Sequence, residues 1–301
     1  MTYKCIIWGT GVLYDDYINN ICCEIVKNNI EIVAVTSDDQ YMLSIDGFLY
    51  VKKEEIPKII YDYIIIACDF NSAKNEALAL GIPFEKMLKV QIFRFPKFDF
   101  NEYVLLKESN ISIVSNHCWG GFASHTLGLR FNSPFVNLYM DERDYIKLLA
   151  EFEYYMSIPL EMYKDGDSFG EPIGILKDVK IYFLHYASFK EAEEAWNRRK
   201  NRLNYENLFV EMTIRDNPDL VKEFVKLPFE KKKCFVHFDA GDNNVCARIT
   251  EFSEVQIRKK YNHRFKEYMH NTVEINCKVS RPYNLIKLLN GDMDFMRKKF
   301  K

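Results

Sequence analysis

Apolar runs and helix-spaced segments alternate along the chain in two successive rounds. In the first, "KCIIW" forms a strand-like run that breaks at Gly9-Thr10-Gly11, after which Leu13, Tyr17, Ile21 and Ile25 recur at helical spacing. "EIVAVTSDD" predicts a second strand that stops at acidic residues, "FLYVKK" a short third, and "YDYIIIACD" a strand buried on both faces, because its apolar run has no polar alternation. "SAKNEALALG" predicts a helix ended by Gly81. Strands and helices in alternation, with glycine at the first turn, predict a Rossmann-like parallel sheet over residues 1–100.

Phe93, Phe95, Phe98 and Phe100 alternate with polar residues around Pro96, which predicts an extended connector with one buried face and places a domain boundary within residues 91–110. The second round then starts at "ISIVSN", with further strand candidates at "VKIYFLHY", "NLFVEMTI", "KKCFVHF" and "VCARITEF" between helical stretches. The expected fold class is α/β: two α/β domains, an N-terminal Rossmann-like one over 1–100 and a larger C-terminal one over 101–301.

Composition narrows the function classes. The chain has 301 residues, 48% of them hydrophobic, which is ample for two packed cores. Lys and Arg number 41 against 43 Asp and Glu, so no global field draws the protein to nucleic acid. No stretch approaches the ~20 apolar residues of a membrane span, and the N-terminal run is too short for a secretory signal, so the expectation is a cytoplasmic protein with no integral membrane segment. The eight cysteines include no C-x-x-C pair and are read as free thiols, and no metal site is expected.

Three places carry candidate chemistry. At the first turn Gly9 and Gly11 begin a dinucleotide fingerprint, but its third glycine position is Tyr14, whose bulk would hold the helix away from the strand. Asp15 and Asp16 in the first helical turn would repel a pyrophosphate. NAD binding, with Asp38 or Asp39 meeting a ribose hydroxyl, therefore stands beside a domain that packs or takes a smaller ligand, in which these aspartates are turn formers.

The second place is "SNHCWGG". Asn116, His117 and Cys118 fall where a strand ends and a helix begins, the position at which open α/β sheets place ligands. Cys118 is then a candidate nucleophile, His117 or His125 a candidate base, and Asn116 and Trp119 candidate substrate contacts. His125 lies about 10 Å further along the helix, too far to bond Cys118 directly. The alternative is plain packing, with Asn116 as a helix cap, Trp119 as core filler and the two glycines allowing close approach.

The third is "FLHYASFKEAEEAWNRRKNRLNYENLFVEMTIRD". Ser188 and Glu191 form a capping box, and Phe189, Ala192, Trp196, Arg199 and Leu203 share a face, so Arg199 points inward. Arg199, Arg202, Arg215 and Asp216, with His185 at the preceding strand end, would make a pocket for a phosphate, a nucleotide-sugar or coenzyme A. The alternative is an internal ion pair such as Arg199 with Asp216. Arg198 is read as a solvated partner of Glu194. The "HFDAGDNN" loop offers Asp239, Gly241 and Asp242 for a cation or for a turn, and His263 and His270 share a helical face.

Two resemblances follow from these motifs. The front half, through Gly9, Gly11, Tyr61 to Ala67 and Gly81 to Lys86, resembles the small Rossmann-like modules found at the front of bacterial enzymes that modify sugars. The second half, through "SNHCWGG", "LGLRFNSPFVNL", "PIGILKDVKIYFLHY" and "AWNRRKNRLNYENLFVEMTIRD", is similar to a bacterial family of unestablished function often labelled exopolysaccharide biosynthesis protein. A more distant likeness is to capsule acetyltransferases with an Asn-Cys turn, which His117 interrupts here. These resemblances imply a cytosolic role in making or decorating surface glycans, and the residues then point to a transferase, acyl or glycosyl, in cell-surface polysaccharide synthesis that uses a phosphate-bearing donor, its cofactors unknown. Cys118, His117 and His185 would be its catalytic residues. A non-catalytic metabolite-binding or assembly protein of such a system is the alternative.

Overall fold

A computed structural model describes residues 1–38, 43–95, 97–163, 171–215, 217–236, 238, 245–248 and 284–292. Asp39, Asp216, Asp239, Gly241, Asp242, His263 and His270 lie outside the described residues. The first half contains β1 (Tyr3–Trp8), α1 (Val12–Val26), β2 (Ile30–Thr36), β3 (Ser44–Ile45), β4 (Phe48–Leu49), β5 (Tyr63–Ile66), α2 (Phe70–Ala79) and β6 (Met87–Lys89). Strands β2-β1-β5-β6 form one parallel sheet. Helix α1 covers one face, with Tyr14, Tyr17 and Ile21 on Cys5, Ile7 and Ile65. Helix α2 covers the other, with Ala73 and Ala77 against Ile6, Trp8, Ile64 and Ile66. The predicted "FLYVKK" strand is shorter than its pattern: β4 only closes a hairpin with β3, and Tyr50 makes a single bridge to Val35.

The second half continues with α3 (Phe100–Glu108), β7 (Ser112–Ser115), α4 (Trp119–Leu127), α5 (Glu142–Ala150), α6 (Phe152–Ser157), β8 (Glu161–Tyr163), β9 (Ile173–Leu176) and β10 (Val179–Tyr182). It ends in α7 (Phe189–Lys200), β11 (Leu208–Ile214), α8 (Pro218–Lys226), β12 (Lys231–Val236), β13 (Cys246–Arg248) and α9 (Leu285–Leu289). Strands β13-β12-β11-β7 form a second parallel sheet, giving a mixed α/β architecture with two parallel sheets.

One expectation is corrected. The stretch around Phe93 is not extended: residues Val90–Arg94 form a 3-10 turn, and Asp99 caps α3 by accepting a hydrogen bond from Glu102 N at 3.1 Å. The four phenylalanines are buried all the same, with Phe93 and Phe98 rings 4.9 Å apart. They belong to a core that includes Cys5, Ile7 and Tyr63 from the first half and Trp119, Phe209 and Phe235 from the second. The aromatic alternation thus marks the expected burial, here between two sheets, in a segment that turns and is not extended. The strand expected in "VKIYFLHY" is β10, and it lies outside the parallel sheet. A two-residue turn at Lys177 and Asp178, with Lys177 at φ 56°, folds β10 antiparallel onto β9, and β8 completes a three-stranded meander.

Gly9 has a physical requirement at the end of β1. Its φ is 101°, and a Cβ there would lie 2.8 Å from Cys68 Cβ and 3.0 Å from the Ala67 carbonyl oxygen. Gly11 caps α1 with φ −92° and open space around it. Gly9→Ala is therefore expected to cost roughly 2–4 kcal/mol through strain and overpacking. Gly11→Ala should cost under about 1 kcal/mol, measured by urea denaturation. Equal losses for the two would contradict the close approach of β1 and β5.

Candidate functional site

Strand β7 ends at Ser115, and the next three residues turn the chain into α4. Helix α4 sits directly on β7 because Gly120 leaves room: a Cβ would come 2.8 Å from Ser115 Oγ and 3.1 Å from Ile113 Cγ2. Ser115 Oγ instead accepts from Gly120 N at 3.0 Å and donates to the His117 carbonyl at 2.7 Å. Beyond the strand end, Asn116 continues the pairing with its side chain. Its Nδ2 donates to Thr213 O at 3.1 Å, and its Oδ1 accepts from Thr213 N at 3.0 Å, a two-bond clamp onto β11.

His117 stands between helix and sheet, 26% exposed at its side chain. Trp119 N donates to its Nδ1 at 3.0 Å, which makes Nδ1 the acceptor and leaves the proton of the neutral ring on Nε2. Nε2 lies 2.6 Å from Thr213 Oγ1, and that hydroxyl donates to Glu211 Oε1 at 2.8 Å. His117, Thr213 and Glu211 thus form one hydrogen-bonded line, with the ring 3.8 Å from the carboxyl oxygen.

Glu211 is fully buried in the middle of β11, and its Oε2 has no hydrogen-bond partner among the described residues. Burial pushes its pKa up to about 8, against the pull of the Thr213 hydroxyl, so the carboxyl is protonated at neutral pH. Tyr145 fixes the backbone beneath it by donating to Glu211 O at 2.9 Å. Lys233, paired in register with Glu211, is buried too, and desolvation lowers it to about 8.

The other predicted residues of this corner are placed differently from one another. Cys118 is buried at 6% exposure, its thiol 3.9 Å from the Leu138 carbonyl. The Trp119 ring is buried at 5% exposure and stacks on Phe209 at 5.9 Å. His125 is exposed at the far end of α4, where Lys89 Nζ donates to its carbonyl at 2.9 Å and lies 3.3 Å from its Nε2. Partial desolvation on its packed side, and then the Lys89 charge, lower the pKa of His125.

A second group gathers at the opposite end of β7. The segment after α4 climbs beside the strand: Ser112 Oγ donates to Asn132 O at its start, and Met140 N donates to Asn116 O at its finish. Asn204 N donates to the same Ser112 Oγ, which brings the end of α7 to this edge. From Ser112 to Asn116 is roughly 13 Å along a strand. Arg199 and Arg202 of this region are joined by Arg130, from the loop after α4. Arg199 donates to Tyr186 Oη, which in turn donates to Val136 O at 2.9 Å, and its guanidinium lies 5.3 Å from the Phe131 ring centroid. Arg202 Nε is buried without a hydrogen-bond partner. Burial, then the charges of Arg130, Arg199 and Arg198, lower the pKa of Arg202. Among the described residues no carboxylate pairs with any of these four arginines; Glu194 faces Lys190 at 3.9 Å and not Arg198.

Arg215 does not join this group. It is exposed at the other end of β11, where its backbone N donates to Glu142 Oε1 at 3.0 Å. His185 is an exposed turn residue at φ 68°, three positions past β10, and Tyr186 beside it supplies the contact to Arg199. In the first half, Asp38 is ion-paired with Lys53 at 2.5 Å, and Tyr14 is buried with its hydroxyl on Asp46 at 2.8 Å.

Arg130, Glu211 and Thr213 are the residues that pattern reading missed. Glu211 had a signal: an acidic residue inside the apolar run "LFVEMTI", with Thr213 two positions on and therefore on the same face. Arg130 had none, because its approach to α7 is a tertiary contact.

The fold is that of an α/β protein with one polar group at each end of strand β7. The chain belongs to the family described as Domain of unknown function (DUF1919), whose model matches residues 89–279. Residues 1–88 match the family described as C2185-like, N-terminal. An uncharacterized protein of Haemophilus influenzae is 36% identical over 159 residues, which are 52% of this chain and 76% of that protein. No helix among the described residues is long and apolar enough to cross a membrane.

The buried carboxyl makes a pH prediction with a definite sign. The folded pKa of about 8 lies above the ~4.3 of an unfolded glutamate, so the folded protein holds the extra proton between these values. Its stability accordingly falls as pH rises through that window. Glu211→Gln should remove this loss, so the variant gains on the wild type by up to a few kcal/mol between pH 5 and pH 8 in urea titrations. Parallel stability profiles would contradict a protonated Glu211.

Proposed function

We propose that this protein binds a phosphate-bearing small molecule, of the nucleotide-sugar or coenzyme A ester class, through Arg130, Arg199 and Arg202. The supporting observation is the gathering of guanidinium groups without a described carboxylate partner, one of them with a buried, unpartnered Nε. Such a cluster is self-repelling, and a phosphate accepting bidentate hydrogen bonds relieves both the charge and the lost hydration. The reaction that goes with this ligand is acyl or glycosyl transfer in bacterial cell-surface polysaccharide biosynthesis, in the cytoplasm, a setting taken from the motif resemblance. Its proton handling falls to His117, backed by Thr213 and Glu211, because the Cys118 thiol is buried. An extended donor, with phosphates at the arginines, would follow the segment from Phe131 to Met140 toward that ring.

Binding without turnover is a second reading, and one observation favours it. Asn116 and both His117 ring nitrogens are engaged by the protein's own groups.

A thermal-shift panel of nucleotide-sugars and coenzyme A esters should raise the melting temperature of the wild type. Arg199→Met and Arg202→Met keep the apolar stem but remove the charge, and should abolish the shift. Without ligand, Arg202→Met should be no less stable than the wild type, since it relieves repulsion. A ligand shift that survives both substitutions would contradict the arginine site; product formation by the wild type would decide for transfer over binding alone.

A further inference from the structure

Strand β13 lies at the edge of the second sheet, next to β12. Cys234 and Cys246 are directly opposite in the parallel register, and Cys234 N donates to Val245 O at 2.8 Å. Register partners on adjacent strands project to the same face, with Cα atoms about 4.8 Å apart. A disulfide needs Cα atoms about 4.4–6.8 Å apart, so this pair can close without moving the backbone far. Cys234 is buried, whereas Cys246 is half-buried and so reachable by a small oxidant.

We propose that Cys234 and Cys246 form a reversible dithiol–disulfide site whose substrate is a peroxide. The Cys234 thiol donates to the Phe235 carbonyl at 4.0 Å. The nearness of the two sulfurs also splits their acidities: Cys246 and then desolvation raise the pKa of Cys234, while Cys234, with the Lys233 charge adding to it against desolvation, lowers that of Cys246. The roles follow. The Cys246 thiolate attacks one peroxide oxygen, the O–O bond breaks, and the departing hydroxide takes a proton to become water (for hydrogen peroxide), leaving a sulfenic acid on Cys246. Cys234 sulfur then attacks that sulfur; its proton leaves with the sulfenic hydroxyl as a second water, and the S–S bond forms. Two thiols are oxidised by two electrons and one peroxide is reduced. The other described cysteines lack this arrangement: Cys22 and Cys23 are helix neighbours that do not face each other, and Cys5 is buried in the first core. A thiol pair kept reduced in the cytosol and closed by peroxide is a redox-sensing arrangement.

The full-length protein, fully reduced and then treated with one equivalent of hydrogen peroxide, is read by intact mass and by non-reducing peptide mapping. The expected result is a loss of about 2 Da, the two sulfur-bound hydrogens, in a single Cys234–Cys246 disulfide reversed by dithiothreitol. In Cys234→Ser the reaction should stop at a sulfenic acid on Cys246 that dimedone captures. Wild-type protein whose cysteines all stay reduced, or whose disulfide joins any other pair, overturns the proposal, and this reading needs no variant to fold.

Discussion

The second half of the protein depends on the clamp between Asn116 and the backbone of Thr213. Strand β7 ends at Ser115, and one side-chain amide then supplies the two hydrogen bonds that another residue of strand pairing would have made. The clamp fixes the direction in which the chain leaves the sheet, so that α4 packs back on β7 and the His117 ring drops onto the Thr213 hydroxyl. Without it, the buried carboxyl of Glu211 would lose the geometry that gives its Oε1 a donor, and an unpaired polar group in the core is costly.

The two ends of β7 are electrostatic opposites. At the C-terminal end an acid is neutralised by its own proton, and the His117 ring and Glu211 Oε1 are matched to donors and acceptors. At the N-terminal end positive charges crowd together with aromatic faces and a tyrosine hydroxyl beside them, but with no described carboxylate. A protein seldom holds uncompensated charge without a use, and perturbed groups concentrate where ligands bind. In the function proposed above, the ligand is assigned to the arginines and the proton handling to His117 in the clamped corner.

Much of the fold was legible because it is written in local pattern. The apolar runs of β1, β5 and β11, the capping serine of α7 and the stop at Gly81 each follow from a few adjacent residues. The inward face of α7 was legible too, and Ala192 and Trp196 are buried as its period requires. What pattern could not convey was partnership. The phenylalanines near Phe93 announced burial but not that two sheets would share them, and the strand pattern of β10 did not say that a two-residue turn would pair it antiparallel with β9. Asn116 was legible as a polar residue at a strand end, whereas its clamp on Thr213 joins positions far apart in the chain. Arg215 and Arg199 are close in sequence but diverge in space, since β11 carries one away from the other.

The most direct test of the clamped corner is the tautomer of His117, read from long-range 1H–15N NMR couplings in the ring. The neutral ring should carry its proton on Nε2, with Nδ1 accepting from Trp119 N. A ring protonated on Nδ1, or one exchanging rapidly between tautomers, would contradict a His117 locked between the helix and Thr213.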